Sequence, residues 1–215
     1  MQFPVEVADE LRLVEVGFAR EPDVAVIRSW HALSGAGDKP LVQDAAEYAG
    51  LATGKWDQAR AKGRVAGTLR DLVGAIKSNP EAELLTLLVA RAEWHQPAPP
   101  LGFCLVRRTW AHNLFVDFLG NDPRLLRPGA PRIKGIATGL LYTVMALGQV
   151  LDAGRCLIEA TDQSFGFYRK KFRLMELNDL FSLTPAEQWH FLEKTRAGWE
   201  QTGVPLTLAL EPTTL

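Results

Sequence analysis

Residues 131–141, PRIKGIATGLL, place a proline and a lysine ahead of small residues at 135, 137 and 139, just before the longest uncharged run of the chain. A strand, a small-residue turn and a helix N-terminus in that order leave backbone N–H groups pointing outward, with the positive end of the helix dipole behind them. Phosphate is the commonest occupant of such an end. Gly135, Ala137 and Gly139 let it reach the backbone, and Lys134 adds a formal charge at the entrance. The same small residues also permit a helix to pack closely on its neighbours, so the stretch alone has two readings. Two familiar phosphate loops are excluded: there is no G-x-x-x-x-G-K-[ST], and no G-x-G-x-x-G directly after the first strand of a βαβ unit.

Other residue types with chemical potential are sparse. Cys104 and Cys156 both lie in apolar strand-like runs with no partner at metal-ligand spacing. They read as buried, inert thiols in a reducing, cytoplasmic compartment, and no metal is expected. His112 sits in a loop and reads as polar filling. The formal charge of −1 argues against a nucleic-acid backbone as the main partner. Apolar residues at 47% and charged residues at 23% describe an ordinary globular chain of a size that favours one core. The N-terminus lacks a signal-peptide pattern. The uncharged run 135–151 is too short, at ~1.5 Å per residue, for a ~30 Å hydrocarbon core, so a buried helix rather than a membrane span is expected.

Periodicity gives the scaffold on which these residues are carried. Leu11–Phe18 and Val24–Trp30 are strand-like, and one of them should be an early strand. Val65, Leu69, Leu72, Val73 and Ile76 share one face of a helical region, with Arg60, Lys62, Arg64, Arg70 and Lys77 on a solvated face. Leu84–Arg91, Leu101–Arg108 and Leu114–Gly120 read as three strands of an antiparallel meander. HQPAPP at 95–100 is a loop because prolines exclude a strand interior. A helix then runs to about 153–154, and Arg155–Thr161 is a strand reached by a parallel crossover. A short helix over 164–170, a strand over 172–177 and a capped helix from Thr184-Pro185-Ala186-Glu187 to about 201 come next, the last with Trp189, Leu192, Arg196 and Trp199 on one stripe. Residues 205–210 supply a final strand. The expectation is one α/β domain over 1–215 with a mixed sheet, antiparallel early and parallel in the middle.

In this order of elements, Pro131-x-x-Lys134-Gly135-x-Ala137-x-Gly139 resembles the pyrophosphate-binding motif of the GNAT-type acyl-CoA N-acyltransferases, with Lys134 at the usual Arg or Gln. RCLIEATDQSFGFYRKKF, 155–172, looks like that family's next strand and the helix ending in Tyr-x-Lys-x-Gly-Phe, one residue shorter and without the Gly. Either Tyr168 or Phe167 takes the family tyrosine position. The resemblance implies a mixed, mostly antiparallel sheet with a central parallel strand pair that splays, flanked by helices. Segments at about 38–80 and 184–202 are embellishments. Acetyl-CoA or another acyl-CoA is the implied co-substrate. Backbone groups of Leu119, Gly120 and Asn121 would pair with its pantetheine amides. Lys134, Gly135 and the amides of Ile136, Ala137, Thr138, Gly139 and Leu140 would hold its pyrophosphate.

The implied reaction moves an acetyl or other short acyl group to a primary amine of a small molecule or peptide by direct attack. Such a transfer needs a neutral amine, a polarised thioester and a proton donor for the thiolate. Tyr168 is the candidate donor, or else a packed aromatic with a satisfied hydroxyl. Asp117, flanked by Phe115, Val116, Phe118 and Leu119, is the first candidate base, or else a solvent-facing residue of an alternating strand; Glu159 is the second. A non-catalytic member of the same fold, binding acyl-CoA or a protein partner, is the alternative, and a homodimer is a family expectation. The acceptor is not legible. Trp30, Trp56, Trp189 and Trp199 either line its entrance or pack the core.

Overall fold

The computed structural model describes residues 1–208 except 34, 36, 37, 96–99 and 177. Gln2–Val7 (β1) and Glu10–Phe18 (β2) form a hairpin whose two turn residues, Ala8 and Asp9, both have positive φ, the geometry that matches strand twist across a two-residue loop. Leu11–Phe18 is thus the early strand. Val24–Trp30 is instead the body of a helix, α1 (Glu21–Trp30). Val24, Ile27 and Trp30 are buried at three-residue spacing, Pro22 sits in the first turn, and Glu21 and Asp23 meet the positive helix end, all of which outweigh β-branched composition.

The next helical region is divided. α2 spans Pro40–Ala61 and α3 spans Leu69–Ser78, capped by the Thr68 side chain, which accepts from the Asp71 N–H. Between them Gly63 adopts φ +65° and Val65 forms a bridge beside Leu85. Val65 therefore belongs to a sheet margin rather than to a helix face.

Leu84–Arg91 (β3), Pro100–Arg108 (β4) and Leu114–Asn121 (β5) form the expected antiparallel meander. Of the expected loop at 95–100, residues 96–99 lie outside the described residues and Pro100 opens β4. The two-residue strand β6 (Ile133–Lys134) pairs with β1. The long apolar helix α4 comes next at Ile136–Val150, and then β7 (Cys156–Glu159), parallel to β5. After α5 (Asp162–Phe172) comes β8 (Leu180–Leu183), antiparallel to β7, and α6 (Pro185–Glu200), which begins with the expected capping box of Thr184 and Glu187.

The strand expected at 172–177 is not formed by its described residues. Phe172 ends α5, Arg173 takes φ +54°, and the edge strand starts later at Leu180. Tyr168 and Phe172, one helical turn apart, use their rings to join Phe181 and Phe191, so packing on the helix face claims Phe172, while Met175 is left exposed to solvent. On α6 the buried positions are Gln188, Phe191 and Leu192, whereas Trp189 is exposed. Thr207 makes one bridge to Gln2; residues 209 and 210 of the expected last strand lie outside the described residues.

The strand order is β6-β1-β2-β3-β4-β5-β7-β8, with β5 and β7 the parallel pair of a mixed, mostly antiparallel sheet. α4 packs on one face over Phe3, Cys104, Val106 and Ile158, and α1 and α2 cover the other with Trp30 and Trp56 inside. Those two tryptophans are core residues. Two features of β5 shape the middle of the sheet. Its pairing with β7 covers only Leu114–Val116, so Asp117–Asn121 run on without a strand on that side among the described residues. Its pairing with β4 passes from Val116 to Phe118, skipping Asp117. Asp117 is the extra residue of a β-bulge, a device that re-aims a side chain. No helix among the described residues is long and apolar enough to cross a membrane.

Candidate active site

Where β5 and β7 part, two adjoining cavities open. The larger, about 270 Å³, lies among α2, the end of β5, the start of α4 and α5. The smaller, about 120 Å³, lies in the gap itself. Tyr48, Leu119, Thr161, Ser164 and Tyr168 line both. All three residues singled out for proton chemistry, Tyr168, Asp117 and Glu159, line the smaller cavity, although 51 residues of chain separate the first two.

The wall formed by β5 can be read from hydrogen-bond alternation. The Asp122 N–H donates to the Leu101 carbonyl at 2.9 Å and the register continues through Phe103 with Gly120. In an antiparallel ladder the intervening residues turn their backbone groups the other way. Leu119 and Asn121 therefore direct N–H and C=O into the gap, while those of Gly120 face β4. Gly120 contributes through its missing side chain, since a β-carbon would meet the Phe103 ring at 2.9 Å. Asn121 lines the larger cavity, and its Oδ1 is buried without a hydrogen-bond partner among the described residues, an unsatisfied acceptor in that wall.

At the helix end, Gly135 is the N-cap with φ +113°, a conformation only glycine adopts without strain. The Gly139 N–H already donates to the Gly135 carbonyl at 2.9 Å. The outward amides are consequently those of Ile136, Ala137 and Thr138, and the expected set of 136–140 shortens by Gly139 and Leu140. Gly139 serves packing, because a methyl there would overlap the Phe3 ring. Ala137 lines the larger cavity, whereas Ile136, Thr138 and Leu140 have buried side chains. Lys134 is paired with Glu6 across β6 and β1, so its charge is met within the protein. The strand wall, the orphaned Oδ1 and the three free amides fit the amide-bearing arm and phosphates of an acyl-CoA; the cation expected from Lys134 is the part that does not.

Tyr168 is 3% exposed and sits among Phe167, Phe172 and Phe181. Burial pushes its phenol well above the usual range, reinforced by Cys104, Cys156 and Tyr48. It is a hydrogen-bond donor throughout the ordinary pH range. Phe167 lines the larger cavity beside it. Asp117 is neither solvent-facing nor free: its side chain is 5% exposed, and it accepts from Lys55 at 2.9 Å and Arg107 at 3.2 Å. Glu159 is exposed and has no ion-pair partner among the described residues.

Sequence reasoning missed Tyr48, which brings a second phenol to both cavities from α2, its ring tilted against Phe118 at 5.5 Å. Burial raises its pKa, a hydrogen bond with Thr161 acts the other way, and Asp44 and Glu159 add to the rise. Lys55 was missed as well. The signal for Thr161 and Ser164 was present in T-D-Q-S, an N-cap pattern in which the Ser164 Oγ accepts from the Thr161 N–H at 2.9 Å. Among the described residues no group of three or more His, Cys, Asp or Glu could hold a metal ion.

No family model and no curated protein matches the sequence. Among solved structures the chain is similar to a GNAT family acetyltransferase from Brucella melitensis in complex with acetyl-CoA, at 17% identity over 80% of this chain and 87% of that one, with a TM-score of 0.46. It is also similar to a GNAT family acetyltransferase from Desulfovibrio desulfuricans, at 12% identity over 80% and 99%, TM-score 0.46. A third is a GNAT family N-acetyltransferase from Escherichia coli in complex with CoA, at 11% identity over 72% and 67%, TM-score 0.43.

Proposed function

We propose that this chain transfers an acetyl or other short acyl group from an acyl-CoA to a primary amine by direct attack, in the gap between β5 and β7. The observation that carries this reading is the meeting, in one pair of cavities, of the unpaired end of β5, the start of α4 at Ala137 and Tyr168. Acyl-CoA supplies the activated acyl group as a thioester.

The chain's own contributions are positional and electrostatic. Backbone groups of Leu119 and Asn121 hold the amides of the pantetheine arm as an added strand edge would. The N–H groups of Ile136, Ala137 and Thr138, with the dipole of α4 behind them, hold the pyrophosphate. Tyr168 donates a hydrogen bond to the departing sulfur. Its raised pKa makes full proton transfer to a thiolate uphill, so it stabilises developing charge rather than acting as a strong acid. Glu159 receives the proton of the acceptor ammonium from the exposed rim, and the second proton that the nitrogen sheds as the C–S bond breaks passes to the departing sulfur. Asp117, saturated by Lys55 and Arg107, orients the amine instead of removing its proton. The elaborations at about 38–80 and 184–202 then belong to one domain over 1–215, and α2 shapes the acceptor side with Tyr48 and Lys55. Two buried free thiols suit a reducing, cytoplasmic setting.

The saturation of Asp117 and the neutralisation of Lys134 favour a second reading, a member of this fold that binds acyl-CoA without turnover. Free-thiol release from acetyl-CoA across a panel of primary amines separates the two. Release with at least one amine supports transfer; acetyl-CoA binding with no release on any amine supports the second reading.

A further inference from the structure

On the α2 face, away from the start of α4, a separate concavity of about 150 Å³ is walled by Lys55, Lys62, Arg64 and Arg107, with Glu83 as the carboxylate of its lining. Its walls come from three parts of the chain, each fixed locally. Lys55 comes from α2, and Gly63 in the left-handed region turns the backbone after Lys62. The Leu85 N–H then donates to the Arg64 carbonyl at 2.8 Å, fixing that segment to β3. Arg107 stands opposite Leu85 on β4, its guanidinium held over the Phe115 ring at 5.0 Å.

The local charges do not balance. Arg107 lies 3.8 Å from Glu83, and Lys55 and Arg107 share Asp117. Lys62 and Arg64 have no carboxylate partner among the described residues. Four cations thus face two carboxylates. The shared pair is partly withdrawn from solvent, with Lys55 at 39% and Arg107 at 29% side-chain exposure, whereas the unmatched Lys62 and Arg64 stand at exposed positions of the same lining.

We propose that this concavity binds a small dianion, a phosphoryl or dicarboxylate group, through Lys62, Arg64 and the two donors it shares with Asp117. The sharing has a consequence for the gap: an anion in the concavity competes with Asp117 for Lys55 and Arg107, so occupancy is linked to how firmly Asp117 is held. The assignment does not depend on acyl transfer.

Titration of the full chain with inorganic phosphate, and separately with succinate, at low ionic strength tests it, with binding read by calorimetry. A Lys62→Gln/Arg64→Gln double variant, altered only at exposed positions, weakens binding by about fivefold or more, the scale of lost partly exposed ion pairs. Asp117→Asn tightens binding by a similar factor because it releases two donors. Saturating acetyl-CoA leaves the phosphate isotherm of the concavity in place. Binding of either anion with this pattern supports the site, and the preference between them states whether the group is phosphoryl or carboxylate. No binding of either anion, or binding indifferent to the double variant, overturns it. If Asp117→Asn does not fold, the double variant decides alone.

Discussion

Tyr168 is held among aromatic rings. It lies edge-on to Phe167 and Phe181 at 5.2 and 5.4 Å and parallel to Phe172 at 6.3 Å, so removing its hydroxyl leaves the packing in place. Tyr168→Phe should therefore lower turnover by about 100-fold, the lower end for losing a hydrogen-bond donor to developing charge, while the thermal midpoint stays within a few degrees. Steady-state rates and a melting curve on the same preparation check both halves. Because burial raises the phenol, the wild-type rate should show no descending limb from tyrosine ionisation below about pH 10. Tyr168 was legible because a motif fragment surrounds it. The state of Asp117 was not: Lys55 lies 62 residues earlier, and the bulge that turns Asp117 toward it leaves no mark in FVDFL.

Among the elements, the opening of α4 carries both readings that PRIKGIATGLL allows, divided between residues. Gly139 is the packing glycine and Ala137 the one that faces the cavity. Gly139→Ala should cost about 1–3 kcal/mol, as overpacking does, measured by chemical denaturation. Ala137→Glu should separate stability from binding. A carboxylate in the first helical turn interacts favourably with the dipole, so the midpoint is unchanged or higher, yet acetyl-CoA affinity falls by about tenfold or more through repulsion of phosphate. A parallel loss of stability and affinity would count against the placement of the pyrophosphate. Element types were readable where one period dominated, as in β3 to β5 and the capped α6. They misled where β-branched residues occupied a helix face, as in α1, or where a helix and a late edge strand shared aromatic residues, as around Phe172. β1 escaped notice because Pro4 interrupts a run otherwise alternating.

Across the molecule, burial of thiols on the α4 side sets an alkaline limit. The Cys156 thiol is pushed up to about 12 and Cys104 is pushed well above its ordinary value, both by desolvation. Folded-state values above the unfolded ones mean that the stability is complete below the unfolded pKa and is lost as pH rises. Unfolding free energy should thus decline above about pH 8.5, by about 1.4 kcal/mol per pH unit for each thiol. Denaturation from about pH 7.5 to 10.5, a range spanning the ordinary thiol pKa, on the wild type and a Cys156→Ala variant should show a shallower decline in the variant. The splayed strands and the helix end that define the cleft were visible as an order of elements. Their joint cavity, with α2 closing it, required the tertiary structure, since nothing in QDAAEYAG announces that Tyr48 shares a cavity with Tyr168.

Whether the cleft between β5, β7 and the start of α4 holds an acyl-CoA is decided by thermal unfolding with and without acetyl-CoA. At about one hundred times its dissociation constant, a ligand selective for the folded state adds about 2.7 kcal/mol, which for a chain of this size raises the midpoint by about 5–10 °C. That rise, reduced in Ala137→Glu, is the expected outcome. An unchanged midpoint at millimolar acetyl-CoA would refute acyl-CoA binding in the cleft.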